Sequence, residues 1–296
     1  MKTAECRISS AERHSSLGLN RCPMRETIAS RRYPRDRRFP MHRGGTTIAI
    51  DGVRLYVQQC GDPWGRPVLF LHGGAGSLDD WDPLIERFSH YRCILLDSRG
   101  HGASTRTQQP LSYPRLASDT EAVIAALEPK RPIIVGHSDG GITGIHVAAR
   151  DRIELAGLIT IAAHGDAPGE EIMREIYQPL TAALWRARFP EMVAAYERLN
   201  PNADFDAFFE WLVAMWRDTS AGNYPGERTD DIRCPALVIG GDADHLVPRE
   251  ETVALAGRID GAALGLVPMG SHVPHWDCPD FVGGWIEGFI EGLAPG

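Results

Sequence analysis

Three short runs of this sequence, residues 68–71, 93–96 and 133–135, are apolar at every position, and a glycine-bearing loop and a helical pattern follow each run. A strand with one solvated face alternates apolar and polar residues, so runs without alternation indicate strands that are covered on both faces. Strands that alternate with helices in this way form a parallel sheet. We therefore predict an α/β fold with a mostly parallel sheet and helices on both faces, in which ligands bind at the carboxyl ends of the strands.

The same pattern divides the chain into segments. Residues 46–163 begin with a predicted antiparallel hairpin around Asp51-Gly52 and continue with alternating strands and helices. The alternation stops in residues 164–230, where aromatic residues recur at helical spacing, and it resumes in residues 231–296. We predict one α/β core in two parts with a small helical cap inserted between them, and we expect most aromatic side chains of the cap to form its own core.

Charge is distributed unevenly along the chain. Residues 1–40 hold ten Lys or Arg and four Asp or Glu, whereas the formal net charge of the whole chain is −8. This basic composition with few apolar residues predicts that residues 1–45 are a disordered segment; an organelle-targeting signal and a translated leader upstream of Met41 are the alternatives. The rest of the chain is acidic, which argues against a nucleic-acid partner.

Two further features concern the cellular environment. No apolar run reaches the roughly 18 to 20 residues of a membrane span, so we expect no membrane partner. The six cysteines include no Cys-x-x-Cys pair, and several lie in apolar runs. This usage favours reduced thiols in a cytoplasmic protein.

Ser138 lies in the run Gly136-His137-Ser138-Asp139-Gly140, which directly follows the apolar residues 133–135. Glycines two positions before and after a serine allow a strand-to-helix turn so tight that a Cβ at either position would clash. Such a turn holds the serine in a strained backbone conformation with its hydroxyl above the sheet. A lone Gly-x-Ser-x-Gly also occurs by chance in loops, but this strand context indicates a nucleophile.

A serine nucleophile requires a base that takes its proton. We predict that this base is His272, because it follows the strand-like residues 262–267 and precedes the last helical pattern. The alternatives are His137, inside the serine turn, His275, three residues after His272, and His164, at the start of the cap.

The base in turn requires a carboxylate that orients it, and the reaction requires amides that bind the oxyanion. Asp244, after the strand-like residues 236–239, is the predicted acid; Asp242 is the alternative as a turn-capping residue, and Asp166 is a third candidate. The predicted oxyanion donors are the backbone amides of Gly74, in a glycine-rich loop after a strand, and Asp139, at a helix N-terminus whose dipole favours negative charge.

Together these motifs resemble those of the α/β-hydrolase superfamily, in the branch of small capped hydrolases that includes esterases, lactonases, carbon–carbon bond hydrolases and cofactor-free haloperoxidases. The resemblance covers roughly residues 46–292 and rests on His72-Gly73-Gly74, the loop 97–104, the turn 136–140, the Gly-x-x-Asp-x-x-Val-Pro run ending at Pro248, and His272 with Pro279. It implies the triad Ser138, Asp244 and His272. The sequence contains no zinc-type His/Cys/Asp cluster and no dinucleotide-binding Gly-x-Gly-x-x-Gly after a strand, so we expect no cofactor and no metal. A serine nucleophile disfavours the dehalogenase and epoxide-hydrolase branches, which use aspartate.

We therefore predict a serine hydrolase that cleaves an ester-like or lactone-like bond of a small-molecule substrate through an acyl-serine. The alternatives are carbon–carbon or amide bond hydrolysis, perhydrolysis with the same triad, and a ligand receptor on a hydrolase scaffold. Asp139 departs from the family pattern, in which a bulky apolar residue commonly follows the nucleophile. Its carboxylate is either a favourable charge in the first helical turn or a pocket group that attracts cationic and repels anionic substrate groups.

Overall fold

One sheet contains eight strands in the computed structural model, which describes residues 44–294. The strands are Thr46–Ile50 (β1), Val53–Gly61 (β2), Pro67–Leu71 (β3), Arg92–Leu96 (β4), Ile133–His137 (β5), Gly157–Ile161 (β6), Ala236–Gly241 (β7) and Ala263–Val267 (β8). They pair in the order β1-β2-β4-β3-β5-β6-β7-β8. The pairs β1–β2 and β2–β4 are antiparallel and the other neighbours are parallel, which confirms the predicted sheet. The predicted basic segment lies outside the described residues, apart from positions 44 and 45.

Helices connect the strands and fill the interval between β6 and β7. The α-helices of the described residues are Asp82–Ile85 (α1), Tyr113–Leu127 (α2), Asp139–Arg150 (α3), Glu170–Ile172 (α4), Ala182–Arg188 (α5), Pro190–Leu199 (α6), Phe205–Arg217 (α7), Arg249–Arg258 (α8), Pro274–Asp277 (α9) and Pro279–Gly292 (α10). A π-helical turn follows α4 at Met173–Tyr177, and 3-10 helices lie at Leu78–Trp81, Glu86–Phe88 and Gly226–Asp231. Within residues 44–294, no helix has both the length and the apolar character that crossing a bilayer requires.

Side chains of the parallel strands alternate between two apolar layers, one on each face of the sheet. In β3, Leu69 and Leu71 pack in the layer that contains residues of α2, α3 and α8, whereas Val68 and Phe70 pack in the layer that contains residues of α10. These four side chains are at most 1% exposed. Full burial of one such side chain stabilises a fold by about 1.5–3 kcal/mol. Because both faces are covered, the strand sequences have no need of polar positions.

The interval between β6 and β7 carries α4 to α7, and we refer to residues 164–230 as the cap. Helix α7 begins after Asp204, whose carboxylate accepts a hydrogen bond from the backbone amide of Ala207 at 3.1 Å. Phe208 and Phe209 of this helix are 0% exposed and belong to an apolar cluster that also contains Tyr113 at the start of α2. The aromatic face of α7 therefore packs against the body of the protein as well as within the cap.

The parallel arrangement determines where the predicted site residues lie. Strands β5, β7 and β8 run in the same direction, so their carboxyl ends meet at one edge of the sheet. Ser138 directly follows β5, Asp244 follows β7, and His272 lies in the loop after β8. The cap leaves the sheet at this same edge, after β6.

Candidate active site

The turn between β5 and α3 holds Ser138 at φ +48° and ψ −116°, in the left-handed half of backbone space. Such a conformation costs a residue with a side chain about 1–3 kcal/mol. The turn is closely packed, because a Cβ added at Gly136 would lie 2.3 Å from the Gly140 carbonyl oxygen, and one added at Gly140 would lie 2.2 Å from the Leu71 carbonyl oxygen. The backbone amide of Ser138 donates to the Ile161 carbonyl at 2.8 Å, which fixes the turn against the neighbouring strand.

A continuous line of hydrogen bonds joins the three residues that the sequence predicts as a triad. The Nε2 atom of His272 lies 3.0 Å from Ser138 Oγ, and its Nδ1 atom lies 2.8 Å from Asp244 Oδ2. The other carboxylate oxygen of Asp244 accepts bonds from the backbone amides of Leu246 at 2.8 Å and Val247 at 3.2 Å. The carboxylate thereby keeps the proton on Nδ1 and leaves the Nε2 lone pair facing the serine hydroxyl.

The charges of this line support one another. Burial alone lowers the pKa of His272, but the charge of Asp244 and its hydrogen bond outweigh burial, so the pKa lies above the ordinary value. Burial alone raises the pKa of Asp244, but the charge of His272 and the hydrogen bonds to the carboxylate outweigh it, so the pKa lies below the ordinary value. The pair is therefore suited to a protonated imidazole beside an ionised carboxylate.

The three other histidines that the sequence offers as bases have different contacts. His137 Nε2 donates to the main-chain carbonyl of His272 at 2.8 Å. His164 Nδ1 lies 2.5 Å from the Glu251 carboxylate. His275 is 0% exposed, and its ring packs beside that of His137 with centroids 4.5 Å apart. Of these four histidines, His272 is the one whose ring is hydrogen-bonded to the Ser138 hydroxyl in the described residues.

The two other candidate acids are ion-pair partners of arginines. Asp242 pairs with Arg249, and Asp166 lies 3.0 Å from Arg258 Nη1. Both carboxylates are partly or largely exposed, whereas the Asp244 side chain is 0% exposed. The geometry thus separates Asp244 from the alternatives that the sequence left open.

The backbone amide of Gly74 is oriented by a neighbouring histidine. His72 Nε2 accepts a bond from the Ser98 amide at 3.0 Å, so its Nδ1 carries the proton and donates to the Gly73 carbonyl at 2.7 Å. Burial lowers the pKa of His72 to about 4, which keeps this ring neutral. In a trans peptide the N–H points away from the carbonyl of the same unit, so anchoring the Gly73 carbonyl also directs the Gly74 N–H.

The backbone amide of Asp139 is oriented by the helix that it begins. The Ser138 carbonyl accepts the bond from the Ile142 amide at 2.9 Å, which directs the Asp139 N–H out of the N-terminal end of α3. The helix dipole favours negative charge at this end. Both predicted oxyanion donors therefore belong to peptide units with anchored carbonyls.

The side chain of Asp139 connects the body of the protein with the cap. Its carboxylate accepts a bond from Tyr113 Oη at 2.8 Å and bonds from Trp216 Nε1 at 2.9 and 3.0 Å, and the residue is 6% exposed. Burial raises the pKa of Asp139, while the bonds from Trp216 and Tyr113 oppose that increase. The carboxylate and the Trp216 ring also border Gly74, where an added Cβ would lie 2.5 Å from Asp139 Oδ2 and 2.4 Å from Trp216 Cζ2.

Sequence reasoning did not find the roles of three residues at this site. The sequence motifs place His72 in the loop after β3 but do not indicate its bond to the Gly73 carbonyl, and they do not connect Tyr113 or Trp216 with Asp139. Tyr113 lies 26 positions and Trp216 77 positions from Asp139 along the chain, so no local pattern indicates these bonds. The signal that the sequence offers is a carboxylate directly after the nucleophile, because a charge that becomes buried requires hydrogen-bond donors.

Across residues 44–294, no three His, Cys, Asp or Glu side chains are grouped as they would be to hold a metal ion. Cys60, Cys93, Cys234 and Cys278 are free thiols. Cys6 and Cys22 lie outside the described residues.

Comparison with known proteins places these features in a family. The family described as "Alpha/beta hydrolase family" matches residues 68–283. The chain is 27% identical over 256 residues to "Serine hydrolase BPHL" of Mus musculus, covering 82% of this chain and 85% of that protein. It is 30% identical over 272 residues to "Non-heme haloperoxidase" of Rhodococcus erythropolis, covering 82% of this chain and 98% of the relative.

A solved structure shows the same fold. The esterase EaEST from Exiguobacterium antarcticum superposes with a TM-score of 0.70 at 20% sequence identity, covering 84% of this chain and 100% of that one. At this identity the likeness concerns the fold.

Proposed function

The chain belongs to the α/β-hydrolase family, and we propose that it is a serine hydrolase that cleaves an ester-like or lactone-like bond of a small molecule. The observation that carries this proposal is the line of hydrogen bonds from Ser138 through His272 to Asp244. A hydroxyl within reach of a neutral imidazole, itself oriented by a carboxylate, is the arrangement that makes serine nucleophilic. Family membership alone would leave the chemistry open, because related folds carry different reactions.

In the first half of the proposed reaction, Ser138 Oγ attacks the carbonyl carbon of the substrate while His272 Nε2 takes the hydroxyl proton. The electron pair of the carbonyl moves to its oxygen, and the N–H groups of Gly74 and Asp139 donate to this oxyanion. The intermediate then collapses and expels the alkoxide, which takes the proton from His272. An acyl ester of Ser138 remains.

In the second half, a water molecule attacks the acyl ester and gives a proton to His272 Nε2. Collapse of the second intermediate releases the carboxylic acid and returns the proton to Ser138 Oγ. Asp244 stays ionised throughout and stabilises the imidazolium in both halves. The anchored amides require little reorganisation when charge develops, which is how such donors lower the barrier.

The cap contributes to the choice of substrate. Trp216 lies against Gly74, so the acyl group of a substrate must fit beside an aromatic wall. The Asp139 carboxylate borders the same glycine, and a negative charge near the scissile carbonyl would be repelled by it. We therefore propose neutral or cationic acyl compounds as the preferred substrates.

Perhydrolysis is a second candidate, favoured by the similarity to the haloperoxidase of Rhodococcus erythropolis. In that reaction hydrogen peroxide, instead of water, would attack the acyl ester of Ser138 and leave as a peroxy acid. The same residues would take and return the proton. An assay for peroxy acid with an ester and hydrogen peroxide distinguishes the two reactions, because simple hydrolysis releases only the carboxylic acid.

The proposal is tested by treating the protein with a fluorophosphonate probe, locating the adduct by mass spectrometry and following hydrolysis of short p-nitrophenyl esters in the same sample. We expect an adduct on Ser138 and loss of turnover, and we expect Ser138→Ala to show neither adduct nor turnover. Turnover that survives in Ser138→Ala would refute the mechanism. Absence of adduct and turnover in the parent would instead favour a ligand receptor on the hydrolase scaffold.

A further inference from the structure

His137, the last residue of β5, holds the main chain of the proposed base. Its Nε2 atom lies 2.8 Å from the carbonyl oxygen of His272. A carbonyl can only accept, so Nε2 carries the proton and donates it. The other ring nitrogen, Nδ1, is buried and has no hydrogen-bond partner among the described residues. The contact with His272 thus fixes the tautomer of His137.

The ring of His137 is confined on two further sides. A Cβ added at Gly73, in the oxyanion loop, would lie 2.7 Å from His137 Nδ1. The ring of His275, in α9, lies 4.5 Å away between centroids. Burial lowers the pKa of His137 to about 3, and the nearby charge of His272 acts in the same direction. The ring therefore stays neutral and keeps its Nε2 proton at neutral pH.

The loop that carries His272 is attached to the protein by several bonds. The Gly270 carbonyl accepts from the Ala243 amide at 2.9 Å, and the Ser271 amide donates to the Asp277 carboxylate at 2.6 Å. At His272 itself, the carbonyl is held by His137, which directly precedes the nucleophile in the chain. One imidazole therefore contacts both the oxyanion loop and the base loop, on either side of Ser138.

From these contacts we propose that His137 is a positioning residue, which holds the His272 main chain at the distance from Ser138 and Asp244 that proton transfer requires. This inference rests on the proposed serine hydrolase function and extends it to a residue outside the triad. The reach of a base is sensitive to small displacements, and a misplacement of about 1 Å can cost about 100-fold in rate.

Four variants test the proposal. His137→Phe keeps an aromatic ring but removes the donor, and His137→Gln keeps an amide N–H that can reach the position of Nε2. His137→Asn has a similar amide that is too short to reach it. The matched control is His275→Phe, which keeps the ring, and whose two ring nitrogens have no hydrogen-bond partner among the described residues.

We expect His137→Phe and His137→Asn to lower kcat for p-nitrophenyl acetate on the order of 10- to 100-fold, with little change in KM. His137→Gln should recover most of this loss, and His275→Phe should retain the parent kcat. The titration of His272, followed by NMR of its ring protons, should move to lower pH in the Phe and Asn variants. Its partners Asp244 and Asp139 are intact in all four, so the movement would report a loosened contact with Asp244.

The opposite pattern would overturn the proposal: His137→Phe and His137→Asn with the kcat and the His272 titration of the parent, or His137→Gln as impaired as His137→Asn. If His137→Phe does not fold, as judged by circular dichroism, the comparison of the Gln and Asn variants decides. Failure of the proposed function would look different, since the parent itself would then show neither turnover nor adduct. In that case the NMR titration still decides, because a shift in His272 supports the contact and an unchanged titration refutes it.

Discussion

Replacement of Asp244 by asparagine should disable the proposed base without removing any ring or bulk. Asp244 Oδ1 accepts bonds from the backbone amides of Leu246 and Val247, so the carbonyl oxygen of an asparagine would take that position. Its NH₂ group would then occupy the position of Oδ2 and face His272 Nδ1, 2.8 Å away. A donor at this place requires a lone pair on Nδ1, which moves the ring proton to Nε2.

The consequence is a base in the wrong tautomer. With its proton on Nε2, His272 cannot take the proton of Ser138, whose oxygen lies 3.0 Å away. The same substitution in a well-studied serine protease lowers kcat about 10⁴-fold, and we expect a similar loss here. This corresponds to about 5.4 kcal/mol of transition-state stabilisation at 1.36 kcal/mol for each factor of ten.

The matched control is Asp242→Asn, two residues away. Asp242 pairs with Arg249, and both side chains are partly exposed. Such pairs contribute only about 0–1 kcal/mol to the stability of the fold. The kcat of Asp242→Asn should therefore stay near that of the parent. Both variants would be assayed by kcat and KM on p-nitrophenyl acetate and by the rate of fluorophosphonate labelling. Comparable losses in the two variants, or a larger loss in Asp242→Asn, would refute the assignment of Asp244.

Two further predictions concern charge at the site. The kcat/KM of the parent should rise with pH, and the midpoint of this rise should lie above 6.5. The reason is that only the unprotonated Nε2 of His272 can take a proton, and Asp244 raises the pKa of this ring against the effect of burial. A midpoint below 6.5 would contradict the proposed environment of His272. Asp139→Asn should improve hydrolysis of an anionic ester relative to a neutral ester of equal length by on the order of tenfold, because the repelling charge is removed. It should also move the rise of kcat/KM to lower pH, because Asp139 raises the pKa of His272. Equal losses on both esters would argue that the carboxylate serves only to attach the cap.

The sheet and the proposed triad could be predicted because their signals are local. An apolar run without alternation indicates a buried strand, and a polar residue directly after such a run lies at the carboxyl edge of the sheet. Ser138 directly follows β5, and Asp244 and His272 lie in the loops that follow β7 and β8. The choice between Asp244 and Asp242 depends on side-chain contacts that only the structure shows. Asp244 contacts His272, whereas Asp242 contacts Arg249.

The contacts of Asp139 and His137 could not be predicted from the sequence. Each depends on side chains that are distant in the chain and brought together by the packing of the cap and the base loop. Periodicity tells which face of α7 is apolar, but it does not tell that Trp216 presents its indole nitrogen to a carboxylate. The sequence reading accordingly left the role of Asp139 open between a helix charge and a pocket group.

The strand order also has a consequence for how the protein matures as it is synthesised. The serine turn packs against the ends of β3 and β6, whereas His272 follows β8, the last strand of the described residues and an edge strand of the sheet. The proposed nucleophile and its base are 134 positions apart, and the segment that ends at β6 contains Ser138 but not His272. We therefore expect hydrolase activity during refolding to return only once β8 has joined the sheet, because His272 is then placed beside Ser138.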